Sequence, residues 1–442
     1  MSSRSPDLEF VSTANPSLRA GLREVLLSSV PQGGGLWVPA VIPQLPAGFL
    51  EARRDADYAT LAEAVIAPYL ASELGADVLR GLCREAFNFP VPLVRPAGLP
   101  ASLDGRLSVL ELFQGPSAAF KDFAVRLLVR VTARVLSAEH PRLTILAATS
   151  GDTGGAVTEA CDGVPGVRAV VLYPRVGVSP VQESQIARRR GNVVALSVDG
   201  TFDDCQALVK RALADESLRR AEPLLTANSI NPVRLIAQVP FAFHARRLVP
   251  AGRSLAVVVP SGNLGNVGAV QLARRMGLEL AGLVAATNVN SPLPELFRTG
   301  SYRPRRSEPT LSNAMDIGAP NNLDRLLAWR EGGPAVASVT VTDAETLDAM
   351  RRVRDAARYV LCPHTAVGWK AAEDLLASRG APDEAVVFGT AHPAKFPDVL
   401  AKAFGDPSVS RFPGELPPPS PLQVGNDFGA LRDVLLSSAG RA

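Results

Sequence analysis

A single lysine is placed for chemistry in the segment FQGPSAAFKDF, residues 113–123. Lys121 follows a Gly-Pro pair that predicts a turn, and it precedes an apolar-periodic run, 123–136, that predicts a helix. A lysine in a half-buried apolar setting can have a lowered pKa and act as an amine nucleophile. On this segment alone, a solvated lysine on a helix surface is the competing interpretation.

The segment SGNLGN, residues 261–266, predicts an anion site. Its small residues let the backbone approach a ligand closely, and the predicted helix that follows offers unpaired N–H groups to a phosphate. The spacing matches neither the GxGxxG fingerprint of dinucleotide sites nor the GK[ST] ending of a P-loop. A tight strand-to-helix turn without a ligand is the alternative interpretation.

The segment TSGDTG, residues 149–154, is a second small-residue loop after a predicted strand. Thr149, Ser150 and Thr153 carry hydroxyl groups that, together with backbone N–H groups, suit a carboxylate ligand. Ser, Thr and Asp are also the residues that helix N-termini prefer, so capping is the alternative, for Asp152 as well.

The three loops are expected to converge. Each follows a predicted strand, and doubly wound folds bind ligands where the carboxyl ends of parallel strands meet. A lysine, a phosphate cup and a carboxylate loop in one place predict pyridoxal 5'-phosphate (PLP) as cofactor, because the lysine binds its aldehyde, the cup holds its phosphate and its ring acts as an electron sink. No dyad or triad suited to a hydrolase accompanies them.

The elements that position these loops begin after a proline-rich stretch, 90–100. Apolar runs at 107–113, 143–149, 167–173 and 193–199 predict strands, and each is followed by a loop and by helical periodicity. The same pattern recurs from 255 and again from 282, and a last strand and loop follow at 385–396. This alternation predicts an α/β fold with doubly wound, mostly parallel sheets.

The length of 442 residues favours several subdomains. We expect an N-terminal mixed cap at 1–105, an α/β domain with the lysine and TSGDTG loops at 106–245, and an α/β domain with the phosphate loop and C-terminal helices at 246–442. The stretch 291–322 predicts a long irregular region, and 413–421 a linker.

Composition argues for a globular protein that acts on a small molecule. Hydrophobic residues make up 47% and charged residues 20%, with a net charge of +3, so neither a nucleic-acid nor a membrane partner is expected. The four cysteines and four histidines are dispersed without metal-ligand spacing. No secretory signal is visible, and we expect a reduced, cytoplasmic chain without a metal that acts as a monomer or homodimer.

The motifs taken together closely resemble the threonine synthase family of the bacterial and fungal kind. The similarity spans nearly the whole chain and includes GGGLWVP, LELFQGPSAAFKDF, ATSGDTGGAV, SPVQE, GTFDDCQALV, ANSIN, PSGNLGN, AATNVN, TLSNAMDIGAPNN, PHTAVG and GTAHPAKF. The resemblance implies a fold-type-II PLP enzyme, similar to the β subunit of tryptophan synthase, with two catalytic subdomains and an N-terminal cap.

The resemblance also implies roles for individual residues. Lys121 is the expected Schiff-base lysine, and Thr390 is the expected hydroxyl facing the pyridine nitrogen. The expected loop for the cofactor phosphate consists of Gly262, Asn263, Leu264, Gly265 and Asn266. The expected loop for the substrate carboxylate and the ring oxygen contains Ser150, Asp152 and Thr153. The expected pocket for the substrate phosphate contains Asn228, Ser229 and Arg234.

The reaction implied by the family converts O-phospho-L-homoserine and water to L-threonine and phosphate, through γ-elimination and β-hydration. In that reaction Lys121 would remove and return the α-proton, and Arg234 would stabilise the departing phosphate.

Five positions depart from the family pattern. This chain has Gln114 where the family usually has His, Ser117 where it has Thr, and Ser184 where it has Lys. It has Leu264 where the family usually has Phe, and Cys362 where the family usually has an acid. Several of these lie on the expected substrate side, which motivates a second hypothesis: a threonine-synthase-like PLP enzyme of specialised metabolism that performs elimination or replacement on another γ-substituted amino acid. Arg188, one helical turn after Ser184, either supplies the missing charge or is solvated. A PLP-binding protein without activity is a third hypothesis, which the intact Lys121 disfavours.

Overall fold

The computed structural model describes residues 9–329 and 335–437, which form 14 strands in three sheets. In chain order the strands are β1 (Phe10–Ser12), β2 (Arg19–Ala20), β3 (Trp37–Pro39), β4 (Leu93–Val94), β5 (Leu107–Glu111), β6 (Leu143–Ala148), β7 (Val167–Pro174), β8 (Val193–Asp199), β9 (Leu224–Thr226), β10 (Leu255–Pro260), β11 (Gly282–Thr287), β12 (Ala337–Thr340), β13 (Glu384–Gly389) and β14 (Leu422–Gly425).

The described residues also form 17 α-helices. They are α1 (Leu22–Leu27), α2 (Tyr58–Leu74), α3 (Ala76–Ala86), α4 (Lys121–Leu136), α5 (Asp152–Cys161), α6 (Pro180–Ala187), α7 (Phe202–Ala214), α8 (Glu216–Ala221), α9 (Pro232–Ile236), α10 (Pro240–Leu248), α11 (Gly265–Arg275), α12 (Leu293–Thr299), α13 (Leu323–Ala328), α14 (Asp343–Ala357), α15 (Pro363–Ala377), α16 (Pro397–Phe404) and α17 (Phe428–Leu436).

Two large sheets carry the fold. The six-stranded sheet has the order β12-β11-β10-β13-β5-β4 and is parallel except for the β4–β5 pair. The five-stranded sheet, β14-β8-β7-β6-β9, is parallel throughout. Every residue of β7 and β10 is buried, which explains why these strands read as continuous apolar runs: a parallel sheet has helices on both faces. The predicted doubly wound α/β fold is confirmed. A small antiparallel sheet, β2-β1-β3, completes the N-terminal part.

The sheets do not follow the segment boundaries that the sequence suggested. Strand β5 lies in the predicted middle segment, 106–245, but pairs with β13 in the six-stranded sheet. Strand β14 lies in the predicted last segment, 246–442, but pairs with β8 in the five-stranded sheet. A division at 245/246 would therefore cut both sheets, because chain order and sheet membership differ at these two strands.

The long irregular region expected at 291–322 contains one helix that the composition concealed. Helix α12 occupies Leu293–Thr299 and buries Leu293 and Leu296, three positions apart on one face. A 3-10 turn follows at Asn313–Met315. Among the described residues, none of the helices is long and apolar enough to cross a lipid bilayer.

The helix that begins at Lys121 is anchored in the hydrophobic core. Phe123, the third residue of α4, is fully buried and makes edge-to-face contacts with Phe89, Phe241 and Tyr58, at ring-centroid distances of 4.7, 4.9 and 5.3 Å. Aromatic pairs of this geometry add about 0.5–1.5 kcal/mol each beyond their buried area. The core therefore fixes the first turn of α4, and with it the position of the lysine.

Candidate active site

One cavity of about 990 Å³ opens where strands of both large sheets end. Its wall draws on the loops that follow β5, β6, β9, β10 and β13 at their carboxyl ends. All fourteen residues singled out from the sequence line it: Lys121, Thr149, Ser150, Asp152, Thr153, Asn228, Ser229, Arg234, Gly262, Asn263, Leu264, Gly265, Asn266 and Thr390.

Lys121 reaches this cavity from the first turn of α4. The preceding loop is held against the end of β13, since the Phe120 N–H donates to the Thr390 carbonyl at 2.9 Å. The Lys121 Nζ lies 4.7 Å from the centre of the Phe120 ring. Burial lowers the pKa of Lys121 to about 8, although the Asp152 carboxylate opposes that shift. About a tenth of the amine is therefore unprotonated, and nucleophilic, at pH 7, far more than for an ordinary lysine.

Asp152 is held by two buried side chains from other segments. Its Oδ1 accepts a hydrogen bond from Gln182 Nε2 at 3.0 Å and lies 2.8 Å from Lys395 Nζ. These contacts keep the pKa of Asp152 below its ordinary value despite complete burial, so the group is a carboxylate. Neither Gln182 nor Lys395 was among the residues predicted for the site. The signal for Lys395 was available, because it stands between Ala394 and Phe396 in an apolar setting like that of Lys121.

One hydroxyl group of the TSGDTG loop holds the loop in shape, and the residues that carry the other two line the cavity. The Thr149 Oγ1 accepts hydrogen bonds from the N–H groups of Gly151 and Gly154, at 3.0 and 2.9 Å. This caps the start of α5, as the alternative interpretation anticipated for this residue. Ser150 is exposed to the cavity and Thr153 is half-buried on its wall, so these two hydroxyls face the space where a ligand would lie.

The SGNLGN loop leads into the N-terminus of α11. Leu264 adopts the left-handed conformation with φ of 60°, and the helix begins at Gly265. The Asn263 amide donates to Ser229 Oγ at 2.6 Å and accepts from the Asn321 N–H at 2.6 Å. Asn266 is buried, and neither polar atom of its side chain has a partner. A helix N-terminus with an unpartnered buried amide is a site for an anionic ligand.

Gly262 is expected to tolerate no side chain. A Cβ there would lie 2.6 Å from the Met315 Cα, a backbone atom, so Gly262→Ala would displace one wall of the anion cup at a cost of about 1–3 kcal/mol. We expect PLP binding to weaken by about 5- to 150-fold, measured by absorbance titration. Gly268→Ala, on α11 but outside the cavity wall, is the matched control, because its Cβ would meet nothing closer than Leu235 Cδ1 at 3.4 Å. Equal affinities in the two variants would contradict this account of the loop.

Arg234 places a buried guanidinium beside the cavity without a carboxylate partner among the described residues. It is 4% exposed, its Nη1 donates to the Ala227 carbonyl at 2.6 Å, and its Nε has no partner. Burial lowers the pKa of Arg234 to about 10, which still leaves it charged at neutral pH. A buried cation of this kind is costly unless an anion neutralises it, so the position suits a phosphate or carboxylate ligand.

His364 is a further cavity residue, which was not among the residues predicted for the site. Its Nε2 accepts from the Ala314 N–H at 3.2 Å, so the ring proton belongs on Nδ1, which is buried without a partner. Burial lowers the pKa of His364 to about 4, and the ring is neutral. Within 9–329 and 335–437, no group of three or more His, Cys, Asp or Glu side chains is arranged to hold a metal ion.

Four of the five residues that depart from the family pattern do not line the cavity. Gln114 is exposed and donates to Glu111, and the Ser184 hydroxyl donates to the Pro417 carbonyl at 2.5 Å. The Cys362 thiol caps α15 by accepting from the Thr365 N–H at 3.3 Å. The fourth is Ser117, whose backbone is held in the lysine loop, and only Leu264 reaches the wall. Arg188 is exposed and lies outside the cavity wall, which matches its solvated interpretation.

The described side chains fit PLP. Its aldehyde needs an unpaired amine, which Lys121 supplies, since none of the ion pairs of the described residues involves this lysine. Its phosphate needs an anion cup, and the Asn266 amide together with the first turn of α11 has unsatisfied polar groups to offer.

Comparison with known proteins agrees with this geometry. The family model described as pyridoxal-phosphate dependent enzyme matches residues 85–390. Two further models, threonine synthase N terminus and threonine synthase C-terminal, match residues 9–87 and 365–421. The three matches together cover almost all of the residues that the structure describes.

Individual relatives give the same result. Threonine synthase of Escherichia coli is 37% identical over 417 residues, which cover 91% of this chain and 93% of that protein. Threonine synthase of Schizosaccharomyces pombe is 32% identical over 473 residues, with 92% and 91% covered. The crystal structure of PLP-bound threonine synthase from Brucella melitensis superposes with a TM-score of 0.89 at 34% identity, over 97% of this chain and 99% of that chain. The chain belongs to the threonine synthase family of PLP-dependent enzymes.

Proposed function

We propose that this protein is a threonine synthase, which converts O-phospho-L-homoserine and water to L-threonine and phosphate. The observation that carries the proposal is the meeting of two basic groups in one cavity: the unpaired amine of the half-buried Lys121 and the buried guanidinium of Arg234. The Lys121 amine suits a cofactor with an aldehyde group, and the Arg234 guanidinium suits a phosphate group on the substrate.

The cofactor would be held at both of its ends. Lys121 Nζ is the attachment point for the aldehyde, and Gly262, Asn263, Leu264, Gly265 and Asn266 form the cup for the phosphate, as the free polar atoms of Asn266 support. Thr390 would offer its hydroxyl to the pyridine nitrogen, and the loop at Asp152 would face the ring oxygen. PLP, when bound, supplies an electron sink for the negative charge left when the substrate loses a proton.

Proton transfer is assigned to Lys121. Lys121 Nζ would remove the α-proton of the substrate and return it at the end of the reaction. A pKa of about 8 suits both directions, because the amine is then neither permanently protonated nor too weak a base.

The two ends of the substrate are assigned to opposite walls. Ser150 and Thr153, with Thr149 holding their loop in shape, would bind the carboxylate. Arg234, with Asn228 and Ser229, would bind the γ-phosphate and stabilise the charge that it carries away when it leaves. Water, the second substrate of the proposed reaction, would supply the hydroxyl group on the β-carbon of threonine.

The test is a product balance. PLP-loaded protein is incubated with O-phospho-L-homoserine, and phosphate and L-threonine are measured together. We expect the two in equal amounts. Phosphate without threonine, or no turnover by a protein that has taken up PLP, would instead favour an enzyme acting on another γ-substituted amino acid; the positions of Gln114 and Ser184 outside the cavity wall do not support that alternative.

We also propose that a single chain holds a complete site, in a monomer or a homodimer, since all fourteen predicted residues line one cavity of one chain. A reducing compartment such as the cytoplasm is supported by the four cysteines, all of which are buried and free.

A further inference from the structure

Lys395 is a buried cation next to the site with no role assigned so far. It ends the 3-10 turn Pro393–Lys395, and its side chain has no solvent exposure. Its Nζ donates to the Ser117 carbonyl at 2.7 Å and pairs with Asp152 Oδ1 at 2.8 Å. One ammonium group therefore joins the lysine loop to the TSGDTG loop, across the boundary between the two large sheets.

The charges around Lys121 come from five elements. Asp122 lies on α4 itself, Asp152 on α5, Arg234 on α9, Lys395 on its 3-10 turn, and the neutral His364 on α15. Asp122 accepts from the Ser117 N–H at 2.9 Å, and burial raises its pKa to about 6. Asp152 is thus the firmly ionised carboxylate within electrostatic reach of the Lys121 amine, and its ion pair is with Lys395 instead.

We propose that Lys395 is a positioning residue, which keeps the Asp152 carboxylate paired to itself so that the Lys121 amine stays unpaired and free to react. The proposal rests on Lys121 being the cofactor lysine, as argued above. The proposal explains why the Asp152 carboxylate does not form an ion pair with Lys121. Of the two lysines near Asp152, the fully buried Lys395 pairs with the carboxylate, and its second hydrogen bond, to the Ser117 carbonyl, holds it in that position.

Loss of Lys395 changes the charge that Lys121 experiences. In Lys395→Met, Asp152 is a buried carboxylate without its partner, and the Lys121 ammonium is a cation whose charge already acts on it. Pairing with it would favour the protonated amine, since an opposite charge within about 4–6 Å raises a lysine pKa. The double variant Lys395→Met/Asp152→Asn removes both charges and should return the amine close to its original state.

The experiment follows cofactor attachment, which is separate from turnover. The full-length chain is freed of PLP, PLP is added at a series of pH values, and the rate at which visible absorbance returns is recorded. Attachment requires the neutral amine, whose lone pair attacks the aldehyde carbon with loss of water. We expect the midpoint of the rate–pH profile to shift upward by about 1–3 pH units in Lys395→Met. In the double variant it should return to within about half a unit of the wild-type midpoint.

Arg190→Met is the matched control. Arg190 is 4% exposed at its side chain and pairs with Glu159 and Asp162, at the opposite end of α5 from Asp152. The Arg190→Met variant should be less stable than the wild type, as Lys395→Met is, but should keep the wild-type rate–pH profile. An unchanged midpoint in Lys395→Met would overturn the proposal, and so would a shift that the double variant fails to reverse.

Two further outcomes remain interpretable. If circular dichroism shows that Lys395→Met does not fold, the single variant Asp152→Asn is the test. Removing the carboxylate should shift the midpoint of the rate–pH profile to lower pH. An unchanged midpoint in Asp152→Asn overturns the proposal. A wild-type chain that never takes up PLP would instead overturn the proposed function, and this proposal with it.

Discussion

Lys121→Ala is expected to give a folded, colourless protein without threonine synthase activity. The variant retains the anion cup but has no amine to attach the cofactor or to move the α-proton. Visible absorption should be lost, and threonine formation should fall by about 10⁴-fold or more, the upper end of what one positioned proton-transfer group contributes. Absorbance spectra of PLP-saturated protein and a threonine assay measure the two effects.

The control for this variant is Lys370→Ala, which removes a surface lysine paired with Asp374. It should remain yellow and active. A Lys121→Ala protein that still absorbed in the visible after dialysis would show that another amine attaches the cofactor, and the fully buried Lys395 would then be the first to examine.

Arg234→Met is expected to lower activity while raising the stability of the PLP-free protein. The guanidinium is buried without a counter-ion among the described residues, so its removal relieves a desolvation cost. Losing a buried partner of the substrate phosphate should cost about 2–5 kcal/mol of transition-state stabilisation, or about 30- to 5000-fold in kcat/KM. The measurements are steady-state kinetics and the Tm of the apoprotein. Arg234→Lys should recover only part of the activity, because an ammonium group lacks the planar fork that fits a phosphate.

Arg325→Met is the matched comparison, since Arg325 is also a fully buried arginine. Its guanidinium donates to the carbonyls of Trp37, Ser229 and Ile230, and it does not line the cavity. Its removal leaves those carbonyls unpaired, and we expect a lower Tm. A fall in Tm for Arg234→Met as large as for Arg325→Met, with kcat/KM preserved, would assign Arg234 a structural role.

The sequence predicted which loops would meet at one cavity, because parallel sheets impose a simple rule on position. Each buried strand reads as an apolar run, and a loop of small or hydroxyl residues at its carboxyl end must lie at the ligand-binding edge. Lys121, the TSGDTG loop and the SGNLGN loop all satisfy that rule. Thr149 shows its limit: the residue type predicted a hydroxyl in the cavity wall, but only coordinates show that this hydroxyl accepts from Gly151 and Gly154.

Features that depend on distant pairing were not predictable in this way. Lys395 and Asp152 meet across a large sequence separation, and nothing in either segment specifies the other. Strand β14 was missed because it is an edge strand whose residues are exposed or half-buried, so it has no apolar alternation. Gln114 and Ser184 were expected to face the substrate only because of their neighbours in the sequence, and in the structure neither residue lines the cavity.

The exchange of strands between segments has a consequence for biosynthesis. Strand β5, which leads into the lysine loop, is synthesised long before its parallel neighbour β13. The five-stranded sheet likewise gains its edge strand, β14, long after that strand's neighbour β8. Domains usually fold from the N-terminus as the chain emerges, but here neither large sheet can be completed until β13 and β14 have been synthesised. Until then the nascent chain must keep two unfinished sheets from aggregating, and a ribosome that stalls before β13 would release a product that lacks Thr390 and Lys395.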